Sequence, residues 1–403
     1  MPNGLRYSVG TRPPTPMKIA FSTARPSHVV LPANLLAHKG DDVTIYNAAY
    51  RSRFTRLRPE VRLRFAPAVG STLNFVTGVR MPPSVQRMDT LLYDHMVAGQ
   101  MGQFDIFWGW ATGSLASGRR ARQRGASFVL DRACPYVDVQ QAMLRQQAEM
   151  VGYPYAPEPE WFRDRQIAEY EEADVIVVPS TYTARSFPQH LQKKLIKAPL
   201  YGRVGSPKVR EMRRTNEFVV GTVGGQPLRK GYLYLLEAWL RLNLPNARLL
   251  LRSDADLETY PALRDMLRRA NNVERIDHVR NMSEFYHRCD AFVVPAVDDG
   301  FGMALLEAMA HGVPAIATTN CGASELLRAG EDALIIEPGN VDALVGAIES
   351  LHSSVELRRH LSQQGRRTVQ ALESNGEYSL YTHALDELTE RVLRQRTEAS
   401  SAA

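Results

Sequence analysis

The feature that most constrains the fold is an alternation of short apolar runs with longer amphipathic stretches, which occurs twice along the chain. In the first half, the predicted strands are Met17–Thr23, Val43–Tyr46, Asp105–Trp108, Ser127–Leu130 and Asp174–Pro179. The predicted helices between them are Val29–Lys39, Val139–Gly152 and Glu160–Ala173. Strands separated by helices of this length are typical of a parallel α/β sheet.

The second half repeats the pattern after Lys197–Arg214, a basic stretch rich in Pro and Gly that we predict to be a linker. Its predicted strands are Phe218–Val223, Ala247–Leu251, Val273–Ile276, Ala291–Pro295, Ala315–Thr318 and Ala333–Ile336. Its predicted helices include Tyr232–Leu242, Ser283–Cys289, Met303–His311, Val355–Leu372 and Tyr378–Arg394. The predicted fold class is α/β, with two Rossmann-like domains facing across a cleft. Open parallel sheets bind ligands beyond the carboxyl ends of their strands, so this arrangement suits two substrates.

Composition narrows the class of protein. With 44% hydrophobic and 23% charged residues in 403, the chain is not disordered, and no apolar run approaches the roughly 18 residues of a membrane-spanning helix. Residues 1–17 are polar and Pro-rich, unlike a secretory signal. Three distant cysteines form neither a disulfide framework nor a metal-binding pair, which favours a cytoplasmic location. The formal charge of +6 suggests anionic partners.

The strongest local motif is PAVDDGFGMALLEAMAHGVP, residues 295–314. A buried strand ends in an acidic, Gly-rich loop, and a helix then begins near Met303 and ends before Gly312. The glycines let backbone approach a ligand closely, and the free N–H groups at the helix start attract an anion. The residues predicted to contact ligand here are Asp299, Gly300, Phe301, Gly302, Met303, Ala304 and Glu307.

A second motif, VGTVGGQPLRKG, covers residues 220–231. A strand leads into a Gly-rich loop and then a helix with Lys230 at its entrance. A cation beside a helix N-terminus suits a diphosphate leaving group. The predicted ligand-binding residues of this motif are Gly224, Gly225, Arg229 and Lys230.

The first motif resembles the E-x7-E signature of retaining glycosyltransferases of family 4, which have the GT-B fold. Asp299 and Glu307 stand at the two acidic positions, and EAMAHGVP is similar to the family's E-A-M-A-x-G-x-P run. The resemblance is specific over Val273–Leu351. It implies that Asp299, one methylene shorter than the usual Glu, contacts the donor sugar and that Glu307 binds the nucleotide ribose. With Lys230, these are the predicted catalytic residues.

The second motif is similar to the family's V-G-R-x-x-x-x-K-G, whose Arg and Lys bind the donor diphosphate. Lys230 and Gly231 match, but Gly225 stands at the Arg position. Arg229 is the candidate that compensates for it. The resemblance also places the nucleotide base near Val273–Val279, where a strand ends in a loop whose backbone, at His278 and Val279, would contact it.

The resemblance gives each domain a role. Residues 1–200 are expected to bind the acceptor, residues 201–376 the nucleotide sugar, and residues 377–403 to form a helix that crosses back to the first domain, with a tail. The loop after the first strand would line the cleft. Asp131–Gln140 is similar to a stretch that carries a His near the donor sugar in some members, and Tyr136 occupies that position here. The predicted acceptor and cleft residues are Ser22, Arg25, Asp131, Arg132 and Tyr136.

The implied reaction moves a sugar from a nucleotide-diphosphate sugar to a hydroxyl acceptor with retention, in bacterial polysaccharide or lipopolysaccharide assembly. We expect no cofactor and no metal, since the nucleotide sugar is a substrate and the family lacks a DxD-type dependence. The expected acceptor is a glycan or a lipid-linked glycan. No nucleic-acid motif accompanies the basic charge.

Two basic clusters allow two interpretations. One holds Arg51, Arg53, Arg56, Arg58, Arg62 and Arg64, and the other holds the arginines of residues 118–124. They form either a peripheral contact with the anionic inner face of a membrane or a solvated charged surface.

Two other functions stay open. One is a nucleotide-sugar epimerase or a phosphorylase on the same fold, because fold alone does not determine function. The other is a non-catalytic partner subunit of another transferase. Gly225 and Tyr136 favour the partner subunit, whereas the intact set of Asp299, Glu307 and Lys230 favours an enzyme.

Overall fold

The computed structural model describes residues 16–23, 29–48, 57–66, 82–199, 217–270, 272–277, 279, 281–374 and 379–402. The predicted α/β class is confirmed, because these residues form two sheets whose strands alternate with helices.

The first sheet has the strand order β3-β2-β1-β4-β5-β6-β7, and the pairs from β3 through β6 are parallel. Its strands are β1 Lys18–Thr23, β2 Asp42–Asn47, β3 Arg62–Phe65, β4 Ile106–Trp110, β5 Ser127–Asp131, β6 Val175–Val178 and β7 Leu195–Lys197. The chain changes direction across the sheet between β1 and β4, which is where doubly wound sheets bind ligands.

The second sheet has six parallel strands in the order β10-β9-β8-β11-β12-β13. Its strands are β8 Phe218–Val223, β9 Ala247–Arg252, β10 Val273–Ile276, β11 Ala291–Val294, β12 Ala315–Thr318 and β13 Leu334–Ile336. This is the Rossmann order again, with its switch point between β8 and β11.

Helices connect the strands in both sheets. In the first half they are α1 Val30–His38, α2 Pro83–Gln100, α3 Leu115–Gln123, α4 Val137–Met150, α5 Glu160–Glu172 and α6 Thr181–Arg185. In the second half they are α7 Tyr232–Leu242, α8 Pro261–Arg269, α9 Met282–Arg288, α10 Met303–Ala310, α11 Val341–Ser353, α12 Val355–Ser374 and α13 Ser379–Ala402. Short 3₁₀ turns lie at Gln189–Lys194, Leu257–Thr259 and Gly322–Leu326.

Both faces of the second sheet are apolar. Phe218 and Val220 of β8 belong to one buried cluster, whereas Val219 belongs to a cluster on the opposite face. Alternate residues of β11 divide in the same way. A strand that is covered on both faces has to be apolar throughout, which explains the continuous apolar runs of the sequence.

The chain folds into two compact units that are discontinuous in sequence. Met1–Asp131, Asp164–Val177 and Leu380–Ala403 form the first, and Arg132–Arg163 with Val178–Ser379 forms the second. The predicted return of the last helix to the first unit is confirmed, and Asp386 of α13 forms an ion pair with Lys39. The predicted boundaries after residues 200 and 376 stay predictions, and most of the predicted linker lies outside the described residues.

Candidate functional site

The two sequence motifs meet at the switch point of the second sheet. Residues 224–230 follow β8, and residues 295–302 follow β11, its neighbour in the sheet. The backbone N–H groups of Val297 and Asp298 both donate to the carbonyl of Arg229, at 3.0 and 3.2 Å. The two loops are thereby joined into one surface at the carboxyl edge of the sheet.

Two glycines make this junction sterically feasible. Gly231 has φ +66°, and a β-carbon there would lie 1.9 Å from the carbonyl oxygen of Pro295. Gly302, the N-cap of α10, has φ +85°, and a β-carbon there would lie 2.2 Å from the sulfur of Cys321. Both positions therefore require glycine for backbone conformation and for space.

The predicted catalytic residues Lys230 and Asp299 form an ion pair at this junction. The lysine side chain is 24% exposed and the aspartate 13% exposed, so both are largely shielded yet reachable from solvent. Gly224 provides the space for this geometry, because a β-carbon there would lie 2.5 Å from Cγ of Lys230. The structure thus brings a cation and a carboxylate together on adjacent loops.

A second ion pair lies directly beside the first. Arg229 Nε donates to Asp298 Oδ2 at 2.6 Å, and the Asp298 side chain is fully buried. The same oxygen accepts from Gln140 Nε2 at 3.0 Å, and Tyr182 donates to the other oxygen at 3.4 Å. Arg229 also donates to Gln226 at 2.7 Å. These contacts use the guanidinium to hold the β11 loop, and a role of Arg229 toward a diphosphate stays a prediction.

Gly225, which stands where the similar family motif has an arginine, has no space for a side chain beside Asp254. A β-carbon on Gly225 would lie 2.1 Å from Oδ1 of Asp254. Any side chain at this position would have to displace the Asp254 carboxylate. The loop after β8 therefore presents Lys230 without an arginine at the family position.

Glu307 lies on α10 and is held by residues of α9. Tyr286 donates to Glu307 Oε2 at 2.7 Å, and burial together with the charge of Glu307 raises the pKa of Tyr286. His311 contacts the Glu307 carbonyl at 2.7 Å and the Ser283 hydroxyl at 3.0 Å. The sequence predicted the α9 helix but no role for Tyr286, because its contact with Glu307 depends on how two helices pack.

The N-terminus of α10 lacks a side-chain cap. Its N-cap is Gly302, no side chain among the described residues caps that end, and the first turn holds no acidic residue. Three residues predicted to contact a ligand, Phe301, Met303 and Ala304, lie at this uncapped helix start. An uncapped helix N-terminus favours binding of an anion. Phe301 itself is buried.

The segment Arg132–Arg163 folds with the second unit and supports its site. Gly300 packs so closely on this segment that a β-carbon would lie 1.9 Å from the carbonyl oxygen of Ala133. Arg132 donates to the Pro135 carbonyl at 2.8 Å and to Gln140 at 3.1 Å. The Tyr136 backbone N–H donates to Ser186 at 2.8 Å. Arg132 and Tyr136 thus lie in the unit that carries both motifs.

The other predicted acceptor residues lie in the first unit. Ser22 donates to the Tyr93 hydroxyl at 3.2 Å, and Asp131 accepts from the Trp108 indole at 3.3 Å. Ser22 and Asp131 line one common pocket. Arg25 and His278 lie outside the described residues, and the predicted base contact of Val279 stays a prediction.

Several arginines of the basic clusters have partners within the chain. The pairs are Arg58–Glu60, Arg62–Asp42, Arg119–Glu172 and Arg122–Asp174. Arg51, Arg53 and Arg56 lie outside the described residues. These pairs favour a solvated charged surface for part of the clusters, and membrane contact stays a prediction.

The described part of the chain contains neither a candidate membrane-spanning helix nor a candidate metal-binding cluster. No helix there is long and apolar enough to cross a bilayer. No three or more His, Cys, Asp or Glu side chains there are grouped to hold a metal ion. Of the adjacent acids, Asp298 pairs with Arg229 and Asp299 with Lys230.

Sequence comparison identifies the segment that carries both motifs. Residues 208–368 match the family described as glycosyl transferases group 1, which is less than half of the chain. EpsD of Bacillus subtilis, named as a glycosyltransferase, is 33% identical over 159 residues, covering 39% of this chain and 42% of EpsD. The capsular polysaccharide biosynthesis glycosyltransferase CapM of Staphylococcus aureus is 31% identical over 159 residues, covering 38% and 42%. The match therefore spans less than half the length of these relatives.

Solved structures resemble the chain over nearly its whole length. Sucrose-phosphate synthase from Thermosynechococcus elongatus has a TM-score of 0.68 at 19% identity, covering 94% of this chain and 99% of the other. HepE from Anabaena has a TM-score of 0.67 at 14% identity, covering 93% and 100%. At these identities the likeness shows the fold alone. Residues 208–368 thus carry the pattern of group 1 glycosyl transferases, within a chain that has the fold of GT-B glycosyltransferases.

Proposed function

We propose that the protein is a retaining glycosyltransferase that moves a hexosyl group from a nucleotide-diphosphate sugar to a hydroxyl of a glycan or lipid-linked acceptor. The observation that carries this proposal is the Lys230–Asp299 pair beside the uncapped start of α10. It supplies a cation, a carboxylate and free N–H groups at one sheet edge. These are the groups that a diphosphate and a sugar ring require.

In the proposed reaction, the anomeric bond to the diphosphate breaks and a bond to the acceptor oxygen forms on the same face of the sugar. The departing phosphate oxygen takes the acceptor's proton, so no protein base is needed. Lys230 and the α10 N-terminus stabilise the negative charge that develops on the diphosphate. This positive charge comes from the chain itself, so we propose that no metal ion or other cofactor is required.

The two acids have separate proposed roles. When the donor binds, its diphosphate would replace the Asp299 carboxylate as the ionic partner of Lys230. The carboxylate could then accept hydrogen bonds from the hydroxyls of the donor sugar. Glu307, oriented by Tyr286, would accept the hydroxyls of the nucleotide ribose. The ion pair between Lys230 and Asp299 would thus hold both groups ready until the donor replaces it.

The relatives suggest a setting and a first donor. CapM is named for capsular polysaccharide biosynthesis, and a relative from Rhizobium meliloti, 28% identical over 152 residues, for lipopolysaccharide core biosynthesis. HepE was solved with UDP and glucose. We therefore propose polysaccharide or lipopolysaccharide assembly on the cytoplasmic side, at the membrane surface, with UDP-sugars as the first donors to test.

The test measures binding and slow hydrolysis of UDP-, GDP-, dTDP- and ADP-sugars, with and without a metal chelator. We expect one nucleotide class to bind and to release nucleoside diphosphate, with chelator having no effect. Lys230→Ala should reduce hydrolysis by about 100-fold or more, and Glu307→Ala should weaken nucleotide binding. Lys39→Ala is the matched control, since it removes a Lys–Asp pair in the first unit.

The outcomes also separate the alternatives. Release of an altered free sugar without acceptor would identify an epimerase. Binding without turnover would favour the non-catalytic partner subunit, an interpretation that the Asp254 carboxylate against Gly225 supports. A folded protein that binds none of the donors would contradict the proposed enzyme.

A further inference from the structure

An arginine without a described partner lies at the carboxyl end of β9. Arg252 is the last residue of this strand and is partly buried. Its Nε is shielded from solvent and donates no hydrogen bond, and no carboxylate among the described residues pairs with its guanidinium. Residues 278 and 280, which lie outside the described ranges beyond β10, are histidine and arginine and carry no negative charge. Charged groups withdrawn from water are normally paired, so the unused charge of Arg252 indicates a ligand.

The backbone anchors Arg252 beside the loop of the second motif. The Gly224 N–H donates to the Arg252 carbonyl at 3.0 Å. The Tyr232 hydroxyl donates to the Gly224 carbonyl at 2.6 Å and lies 3.3 Å from the Arg252 carbonyl. Gly225, which stands where the similar family motif has an arginine, is the next residue of this loop. Arg252 is therefore rooted on the neighbouring strand, beside the position that lacks an arginine.

Strand alternation determines the face on which the Arg252 side chain lies. Leu249 and Leu251 belong to the buried cluster on one face of the second sheet, and Leu250 belongs to the cluster on the other. Successive side chains of a strand point to opposite faces, so Arg252 lies on the face of Leu250. That cluster includes Tyr286 and most of the apolar residues of α10. The guanidinium therefore lies at the edge of the sheet that α9 and α10 cover.

Electrostatics places the Arg252 charge close to Glu307. Tyr286 donates to the Glu307 carboxylate at 2.7 Å. Burial and then the charge of Glu307 raise the pKa of Tyr286, whereas the positive charge of Arg252 acts in the opposite direction. Arg252 and Glu307 thus act on the same hydroxyl group. The ribose of a nucleotide carries its first phosphate, so a cation beside a carboxylate that binds ribose is positioned for that phosphate.

Arg229, the other arginine of this region, already has partners. It donates to the fully buried carboxylate of Asp298 at 2.6 Å and to Gln226 at 2.7 Å. If Arg229 turned to a diphosphate, it would leave a buried carboxylate without its cation, which is strongly unfavourable. Arg252 leaves no described partner behind when it binds a ligand, so it is better suited to compensate for Gly225.

We propose that Arg252 binds the phosphate next to the ribose of the nucleotide sugar, and thereby supplies from β9 the guanidinium that the β8 loop lacks at Gly225. The identity of the ligand rests on the proposed function. A guanidinium can donate two parallel hydrogen bonds to one phosphate, which the ammonium of a lysine does not reproduce.

The test compares nucleoside diphosphates with the corresponding nucleosides. NMR titration of the full chain measures the dissociation constants of UDP, GDP, dTDP and ADP, and of uridine, guanosine, thymidine and adenosine. We expect Arg252→Gln to weaken binding of the preferred diphosphate by about 10- to 100-fold and to leave binding of its nucleoside unchanged. Arg252→Lys should recover part of the lost affinity.

Arg248→Gln is the matched control, because Arg248 lies on the same strand and the same face but pairs with Glu217 and Glu274. It should change neither dissociation constant, and thermal unfolding shows whether each variant is folded. An equal loss of nucleoside and diphosphate binding in Arg252→Gln would indicate a structural role and overturn the proposal.

The remaining outcomes separate this proposal from the proposed function. If the wild-type chain hydrolyses a donor and Arg252→Gln binds the diphosphate normally, the role of Arg252 is overturned and the proposed function stands. If Arg252→Gln loses only diphosphate binding and the wild-type chain turns over no donor, the role of Arg252 stands and the proposed transferase fails. A wild-type chain that binds no diphosphate would overturn both.

Discussion

At the residue scale, Asp131 makes the folding stability depend on pH. An aspartate in an unfolded chain ionises near pH 4, whereas burial raises the pKa of Asp131 to about 7 in the folded state. Folding therefore takes up a proton between these values, and the free energy of unfolding falls as pH rises from about 4 to 7. Above pH 7 both states are ionised, and the loss of stability is constant.

Asp131→Asn removes the ionisable carboxyl and therefore the pH dependence of stability that it causes. We expect the free energy of unfolding of the variant, minus that of the wild type, to be larger at pH 8 than at pH 5 by on the order of 2 kcal/mol. Urea unfolding at the two pH values measures it. Glu169, whose pKa burial also raises to about 7, is present in both proteins and cancels in the comparison. An equal difference at both pH values would show that Asp131 ionises normally.

Gly231 gives a second prediction at this scale. Gly231→Ala places a β-carbon 1.9 Å from the Pro295 carbonyl at φ +66°, and the site cannot relax without separating the two loops. We expect a loss of several kcal/mol, against about 1 kcal/mol for Gly330→Ala. Gly330 is the matched control, because it has φ +80° in open space. Equal urea midpoints for the two variants would contradict the steric argument.

At the scale of elements, the Tyr286 hydroxyl of α9 orients the Glu307 side chain of α10. Tyr286→Phe keeps the ring and its packing and removes the bond to Glu307. If Glu307 binds the ribose, KM for the donor and Kd for the nucleoside diphosphate should rise about tenfold, with kcat little changed. A purely structural role would lower the unfolding temperature and leave KM unchanged. Tyr153→Phe is the control, since this ring stacks on Tyr260 at 4.5 Å in the same unit.

The sequence predicted the apolar strands correctly and missed elements with charged or weak patterns. Buried strands such as β8 and β11 are continuous apolar runs, and their bounds were found within two residues. β3 was assigned only to a basic cluster, because three of its four residues are exposed at the sheet edge. Residues 118–124, which hold four arginines, were likewise assigned only to a basic cluster, although they include most of α3. The α2 helix, Pro83–Gln100, was not predicted at all.

The meeting of Lys230 and Asp299 follows from topology that the sequence contains, since their loops leave neighbouring strands of a Rossmann order. The contacts of the Asp298 carboxylate do not follow from this topology. Gln140 and Tyr182, which bond to it, come from segments more than a hundred residues away, and no local pattern marks them. The sequence therefore predicted both motifs and could not predict the residues that orient them.

At the scale of the whole molecule, the last two long helices belong to different units. Leu361 of α12 is buried in the second unit, and Leu388 of α13 is buried in the first. Leu388→Ala should lower the free energy of unfolding by about 2–5 kcal/mol and raise amide hydrogen exchange in β1, β2 and β4. Leu361→Ala should do the same for β8, β9 and β11. Uniform effects of either variant on both sheets would show that the units do not open separately.

The close approach of Gly300 to Ala133 also bears on recombination. A chimera that exchanges only residues 208–368 for those of a relative would import the loop that carries Gly300 while retaining the native Ala133 and Gln140. The new loop would then meet a backbone to which it had not been matched. A chimera that folds and functions should therefore exchange Arg132–Arg163 together with residues 208–368. The unit that can be exchanged between relatives is thus larger than the segment that sequence similarity detects.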